Sequence, residues 1–265
     1  MHTHRTTHPH RIIAAISLCA LVLGALAGCA SPRRPSNAQL QAGARALERA
    51  GAVADPGLVA ARDIAFAKAA REEGQWPAFV SFAAPGALRE APGGFLTPEM
   101  MAGEAAPDNP WSWAPTAVWS SCDGSMAISF GRYAEAGLVG SYVTAWARDR
   151  GQPYQWTYNA GVLDDPQPVA REDQLLDGGE DVIVVAAMDV IDARTADCPR
   201  AGETVPPPPP VAPDPAKESA LARSADNTLQ WYWEHRPDGE KRVVVEYLRE
   251  GNWQRPLELV VQVGS

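Results

Sequence analysis

The stretch TAVWSSCDGSMAISFGRYAEAGLVGSYVTAWARDRGQPYQWTYNAG, residues 116–161, decides the fold. Four of its segments are rich in β-branched and aromatic residues: Thr116–Ser121, Ser125–Tyr133, Val139–Arg148 and Tyr154–Gly161. Each join carries turn chemistry, at Cys122-Asp123-Gly124, Ala134–Gly137 and Asp149-Arg150-Gly151, so the segments read as successive strands of an antiparallel meander. Along the third strand, Tyr142, Thr144, Trp146 and Arg148 share one face, and Ser141, Val143, Ala145 and Ala147 share the other. Both faces carry apolar side chains, so alternation alone does not say which one looks into a pocket.

Upstream, the periodicity changes to that of helices. Asn37–Ala54 is helix-friendly, with Leu40, Ala44 and Leu47 at i, i+4 and i+7. Asp55-Pro56 is a helix start, Asp as N-cap and Pro in the first turn. Leu58, Ala61, Ala65 and Ala69 then form the expected stripe with Phe66 beside it, and Gly74 closes the helix. A second short helix is expected over Trp76–Phe82, ended by Ala84-Pro85-Gly86. Leu88–Glu90 reads as a short strand, Thr97-Pro98-Glu99 opens a short helix ending near Gly103, and Pro107–Pro110 is a loop.

Downstream, Asp164–Gly179 is an excursion, and Asp181–Ala193 holds the strand Val182–Val185 leading toward Cys198. Val205–Pro215 contains five consecutive prolines, Pro206–Pro210, and predicts an extended polyproline linker. Thr228–His235, Lys241–Arg249 and Pro256–Val263 form a three-stranded meander in which Leu229, Trp231 and Trp233 alternate. A unit that small is marginal by itself, so it is expected to pack on the main domain or on a partner.

The first residues carry an address. Arg5 and Arg11 precede Ile12–Ala25, an apolar run interrupted by Ser17, and Leu26-Ala27-Gly28-Cys29 follows. The run is shorter than the roughly 20 residues of a spanning helix. It resembles a bacterial lipoprotein signal with its lipobox, which implies lipidation of Cys29 and a membrane partner reached through that anchor. Ala30 and Ser31 after the Cys, with no Asp there, imply an outer-membrane address facing the periplasm, with inner-membrane retention as the alternative.

Removal of residues 1–28 takes four of the five histidines and leaves His235. Cys29 would be taken by lipid, so Cys122 and Cys198 remain, and no zinc site of the usual His/Cys kind is available. In a compartment that permits disulfides those two cysteines have one pairing, Cys122–Cys198, across 76 positions; two free thiols are the alternative. The full chain carries a net charge of −9, which argues against a nucleic-acid partner. No cofactor is implied, and no metal, since neither Asp164-Asp165 nor Glu180-Asp181 has calcium-loop spacing.

N-terminal helices followed by a short irregular link and a long antiparallel meander resemble the NTF2-like superfamily, more narrowly its SnoaL-like and DUF4440-type members. The residues that carry the resemblance are Arg62–Ala67, Trp76 and Phe79 in the helices, and Gly131-Arg132-Tyr133, Tyr142–Trp146 and Gln155–Gly161 in the sheet. The resemblance covers about residues 55–200. It implies an α+β cone in which the helices pack in a strongly bent antiparallel sheet, with the C-terminal three-stranded β-meander outside the family's usual extent. The expected organisation is a signal at 1–28, a tether and N-terminal helix at 29–54, the NTF2-like domain at 55–200, a Pro-rich linker at 201–226 and the β-meander at 227–265. Family members include isomerases, dehydratases and many non-catalytic binding modules. Homodimers through the sheet are also common in the family.

The ligand-pocket candidates are Trp119, Tyr142, Trp146, Trp156, Tyr158 and Asn159; core and dimer interface is the alternative reading of the aromatics among them. Many relatives carry an acid or His where this chain has Asn159, which cannot take a proton. No catalytic residue is therefore assigned, and a non-catalytic small-molecule-binding or protein-interaction module is the first expectation. An isomerase, dehydratase or hydrolase is the alternative, and would need a buried carboxylate from among Glu99, Glu104 and Asp108. Trp111-Ser112-Trp113 reads as a loop that caps the cone mouth, marks a contact surface or tucks onto the sheet. Arg132 and Arg148 are strand-end cations that could meet an anionic ligand, and His235 is a surface residue by this reading. A third class, envelope assembly, would require Leu229, Trp231 and Trp233 to form an exposed apolar patch.

Overall fold

The computed structural model describes residues 54–105, 107, 110–168, 191–200, 202–211, 219–235 and 241–261. The expected lipobox Leu26-Ala27-Gly28-Cys29, the helix expected before Ala54, Asp108, the strand expected at Val182–Val185 and Glu180-Asp181 lie outside these residues.

Helix α1 (Pro56–Glu72) starts where the Asp55-Pro56 signal places it, with Asp55 Oδ1 accepting from the Gly57 amide at 2.9 Å. Glu73 and Gly74, the latter at φ +108°, end it and turn the chain into α2 (Gln75–Phe82). The buried stripe of α1 differs from the expected one. Val59, Ala60, Asp63, Phe66, Ala67, Ala69 and Ala70 are buried, so Ala69 of the expected stripe is inward, whereas Leu58 is 51% exposed and Ala61 and Ala65 are exposed. An alanine-rich helix has little hydrophobic contrast to set its own rotation. Here Phe66 sets it, packed against Phe79, Phe82 and Trp113 with ring centroids within 5.0 Å.

The chain continues as β1 (Ala83–Ala91), β2 (Gly94–Leu96) and the short α3 (Pro98–Met101), capped by Thr97. Ala84-Pro85-Gly86 does not separate α2 from a later strand. It lies inside β1, where the register with its neighbour shifts between Ala83 and Leu88. The quoted stretch forms β3 (Ser112–Ser120), β4 (Met126–Glu135), β5 (Leu138–Ala147) and β6 (Gln155–Leu163) as an antiparallel meander. β7 (Asp192–Thr195) pairs parallel with β3, and β1 pairs parallel with β6. The sheet order is β2-β1-β6-β5-β4-β3-β7, so a wholly antiparallel sheet is corrected to a mixed one, with parallel pairs flanking the meander on both sides.

The second sheet contains β8 (Ser219–Arg223), β9 (Leu229–His235), β10 (Lys241–Arg249) and β11 (Asn252–Val261), in the order β11-β10-β9-β8. The three-stranded expectation missed β8, whose SALAR sequence has weak strand propensity and is recruited by pairing with β9. The protein is thus α+β, with α1 and α2 on one face of the large sheet and the second sheet on the other. Leu229, Trp231 and Trp233 are buried at 5% exposure or less, so they do not form an exposed patch. They pack with Val143, Ala145, Tyr158 and Ala160 of the large sheet.

Polar contacts join the two sheets near both ends. The Cys122 amide donates to Thr228 Oγ1 at 2.9 Å, and the Asp123 amide to Asp226 Oδ2 at 2.8 Å. Elsewhere Lys241, 1% exposed at its side chain, pairs with Glu90 and sits among Trp233, Phe95 and Tyr158. The disulfide Cys122–Cys198 ties the β3–β4 turn to the segment after β7, with Cα atoms 5.1 Å apart. Past Cys198 the proline run is docked on the second sheet: Trp253 Nε1 donates to the Pro206 carbonyl at 3.0 Å, and Gln230 Nε2 to the Pro209 carbonyl at 3.2 Å. Polyproline backbone has no internal hydrogen bonds, so its carbonyls are free to accept these donors.

Candidate functional site

A cavity of about 800 Å³ opens on the helix side of the large sheet. Trp76 and Phe79 of α2, Trp111 and Trp113 at the start of β3, and Arg89 of β1 line it, together with Tyr133, Tyr142 and Asn159 of the meander. Its volume falls in the range of small-molecule sites, and its walls combine these aromatic rings with aliphatic residues and the charged groups Arg89, Glu90, Glu135 and Asp165.

The placement of these side chains follows from local rules. Trp113 lies within β3, opposite Tyr133, and the Trp111 amide donates to Gln75 Oε1 at 3.0 Å. The Trp-Ser-Trp segment is therefore a loop only at Trp111. Tyr133 lies over a gap made by two glycines. A Cβ on Gly140 would overlap the Val162 carbonyl and the Tyr133 ring, and one on Gly161 would come within 3.1 Å of that ring. Gly131 leaves room for the Tyr142 ring in the same way.

Beneath Trp113 and Tyr142 lies Asp63, fully buried. Its carboxylate accepts from Trp113 Nε1 at 2.9 Å and from the Tyr142 hydroxyl at 2.8 Å, and Ser129 is a third partner. Burial raises the Asp63 pKa above the ordinary carboxylate value, and the three hydrogen bonds pull it back. Burial, with the Asp63 charge beside it, also holds the Tyr142 phenol well above its usual pKa. The tyrosine proton is thus committed to Asp63 and is not directed at the cavity.

Arg89 is the cation of the site. Its guanidinium lies 4.2 Å from the Trp111 ring centroid, 5.5 Å from Phe79 and 5.8 Å from Trp76. Nη1 donates to the Glu90 carbonyl at 3.1 Å, and Nε is buried with no hydrogen-bond partner. Desolvation lowers the Arg89 pKa to about 10, against the opposing pull of Glu135, Tyr133 and Glu90. It remains a cation at neutral pH.

The six residues singled out from the sequence divide between the two faces of the sheet. Tyr142 and Asn159 line the cavity, with Asn159 Nδ2 donating to Thr144 Oγ1 at 2.9 Å. Trp146 and Trp156 are core residues on the same face; their indole N–H groups donate to Ser129 Oγ at 2.9 Å and to the Phe79 carbonyl at 2.8 Å. Trp119 and Tyr158 face the second sheet, where Tyr158 stacks on Trp231 at 4.8 Å. Simple alternation puts Trp156 and Tyr158 on one face. A register shift at Ala145/Trp146 opposite them inserts one residue into β6 and sends the two to opposite faces.

The charged residues read from the sequence are occupied elsewhere. Arg132 pairs with Asp164 and donates to Ser141 Oγ at 2.6 Å, and Arg148 Nε donates to the Gly124 carbonyl at 2.8 Å. Glu99 and Glu104 are exposed and do not line the cavity. A hydrogen bond from Thr97 lowers the Glu99 pKa. His235 closes β9. Among the described residues no group of three or more His, Cys, Asp or Glu is placed to hold a metal ion, and no helix is long and apolar enough to cross a membrane.

Sequence reasoning missed Asp63, Arg89 and Tyr133. Asp63 carried a signal, since it lies three or four positions from Val59, Ala60, Phe66 and Ala67, an acid in line with apolar residues at helical spacing. Arg89 carried none, because an arginine in a short strand reads as solvated. Compared with protein-family models, with curated proteins and with solved structures, the chain finds no match.

Proposed function

We propose that the protein is a lipid-anchored, periplasm-facing module of the NTF2-like kind that binds a small molecule in the helix-side cavity without transforming it. The observation that carries the binding reading is the cavity itself: about 800 Å³, walled by Trp76, Phe79, Trp111 and Trp113, with a guanidinium at its wall. Helices on one face of an antiparallel meander, with a hollow between them, are also the arrangement that the superfamily resemblance implies. The lipidated, envelope-facing part of the reading rests on the Leu26-Ala27-Gly28-Cys29 motif.

The chemistry of the lining supports binding over turnover. Tyr142, which lines the cavity, donates its hydroxyl hydrogen bond to Asp63. Glu90 is held by Lys241. A specific observation also supports the enzymatic alternative: Asp63, with its raised pKa, lies one hydrogen bond behind the lining residues Trp113 and Tyr142. Native mass spectrometry of the chain exported with Cys29→Ser tests the two together. A retained, chemically unaltered small molecule supports the binding module. A bound species that is converted on incubation supports the enzyme, and conversion abolished by Asp63→Asn would name its acid.

A further inference from the structure

We infer that the cavity takes a small organic monoanion, a carboxylate on a flat apolar body, with Arg89 receiving its charge. The inference rests on the binding reading above and narrows it to a chemical class.

Several other strand arginines are ion-paired. Arg132 meets Asp164, Arg242 meets Glu234 and Glu258, and Arg255 meets Glu246 and Glu258. Arg89 forms no ion pair with a carboxylate of the described residues. One of its five N–H groups reaches the Glu90 carbonyl, and its buried Nε reaches nothing. A buried Nε–H left without an acceptor is costly, and a planar carboxylate matches the guanidinium's fork of donors. The Glu90 side chain cannot serve, since it is on the other face of β1, paired with Lys241. An incoming carboxylate would therefore meet free donors and would displace no ion pair of the described residues.

The rings around Arg89 specify the rest of the ligand. Trp111, Phe79 and Trp76 surround the guanidinium and also wall the cavity, so an anion at Arg89 carries its body onto aromatic faces. The acids in the lining set the charge. Glu90, Glu135 and Asp165 border the same cavity, and Glu90 is paired with Lys241; the other two oppose a second negative charge of the kind a phosphate monoester brings.

The test is ligand-observed NMR titration of the full chain carrying Cys29→Ser with three probes: naphthoate, its uncharged amide, and naphthyl phosphate. Naphthoate is expected to bind about tenfold or more tighter than either of the others. Arg89→Gln should bring naphthoate down to the affinity of the amide while leaving the amide unchanged, which also reports that the cavity is intact. Glu135→Gln, which does not touch the guanidinium, should tighten naphthoate severalfold and leave the amide unchanged. Should Arg89→Gln fail to fold, the Glu135→Gln result decides alone: an unaltered preference overturns the inference. Equal binding of naphthoate and its amide by the unsubstituted cavity overturns the anion inference and leaves the binding reading standing. Tighter binding of the phosphate overturns the single charge. No binding of any probe overturns the binding reading, and the inference falls with it.

Discussion

The Tyr142 hydroxyl donates to the Asp63 carboxylate across 2.8 Å, joining the inward face of α1 to the middle of β5. This bond links residues 79 positions apart and helps fix the rotation of a helix whose alanines cannot. Asp63 also holds Trp113, a wall of the cavity. One buried carboxylate therefore serves both the fold and the site.

Removing that acceptor has a definite cost. Asp63→Ala leaves the Trp113 and Tyr142 donors unpaired in the core, and a loss of about 2–4 kcal/mol is expected in urea unfolding. The pH dependence has a definite sign. The folded pKa of Asp63 lies above its unfolded value, so the folded state holds the proton longer as pH rises. Its contribution to stability is largest below the unfolded value, near 3.8, and declines as pH rises toward the folded value. The stability difference between Asp63→Asn and the unsubstituted chain should shift in favour of Asn over that window. A pH-independent difference would refute the assignment.

Lys241 and Glu90 form the buried ion pair between the sheets. Lys241→Met leaves Glu90 partly buried without its cation, and a loss of about 3 kcal/mol is expected. The double substitution Lys241→Met with Glu90→Leu should recover most of it, because two apolar side chains suit the Trp233, Phe95 and Tyr158 surround. A double-mutant cycle by chemical denaturation measures the coupling.

The disulfide closes a loop of 76 positions. Replacing Cys122 and Cys198 together by Ser should lower stability by about 2–4 kcal/mol, measured with and without reductant. The unsubstituted chain should show a comparable loss on reduction, and the double variant none.

The proline segment is held by donors from Trp253 and Gln230. Trp253→Phe keeps the ring and removes the indole N–H, at a cost of about 1 kcal/mol. Hydrogen exchange, which polyproline itself cannot report, should quicken along β11 while β5 keeps its protection. Uniform quickening would instead mean global destabilisation.

Gly140 makes room for Tyr133. Gly140→Ala should destabilise by about 1–3 kcal/mol, since the added methyl meets both the Val162 carbonyl and the ring. The displaced Tyr133 should also weaken any ligand of the cavity, a second effect that a simple packing defect elsewhere would not produce.

Local chemistry in the sequence determined much of the architecture. Asp55-Pro56, Thr97-Pro98 and the meander strands with their short turns all act over a few residues, so they are legible without a fold. Tertiary structure decided what faces what. The rotation of α1 came from Phe66 and Asp63 against a distant sheet, because alanine gives a helix no preferred side. The division of Trp156 from Tyr158 came from one inserted residue in β6, which period-two alternation cannot register. The strand at Ser219–Arg223 came from a neighbour's open edge, and the docking of the prolines from two side-chain donors that sequence places 21 and 47 positions away. The cavity followed the same rule: Arg89 became its cation only because the aromatics of α2 and β3 were folded around it, and burial of a charge is a property of three-dimensional surroundings.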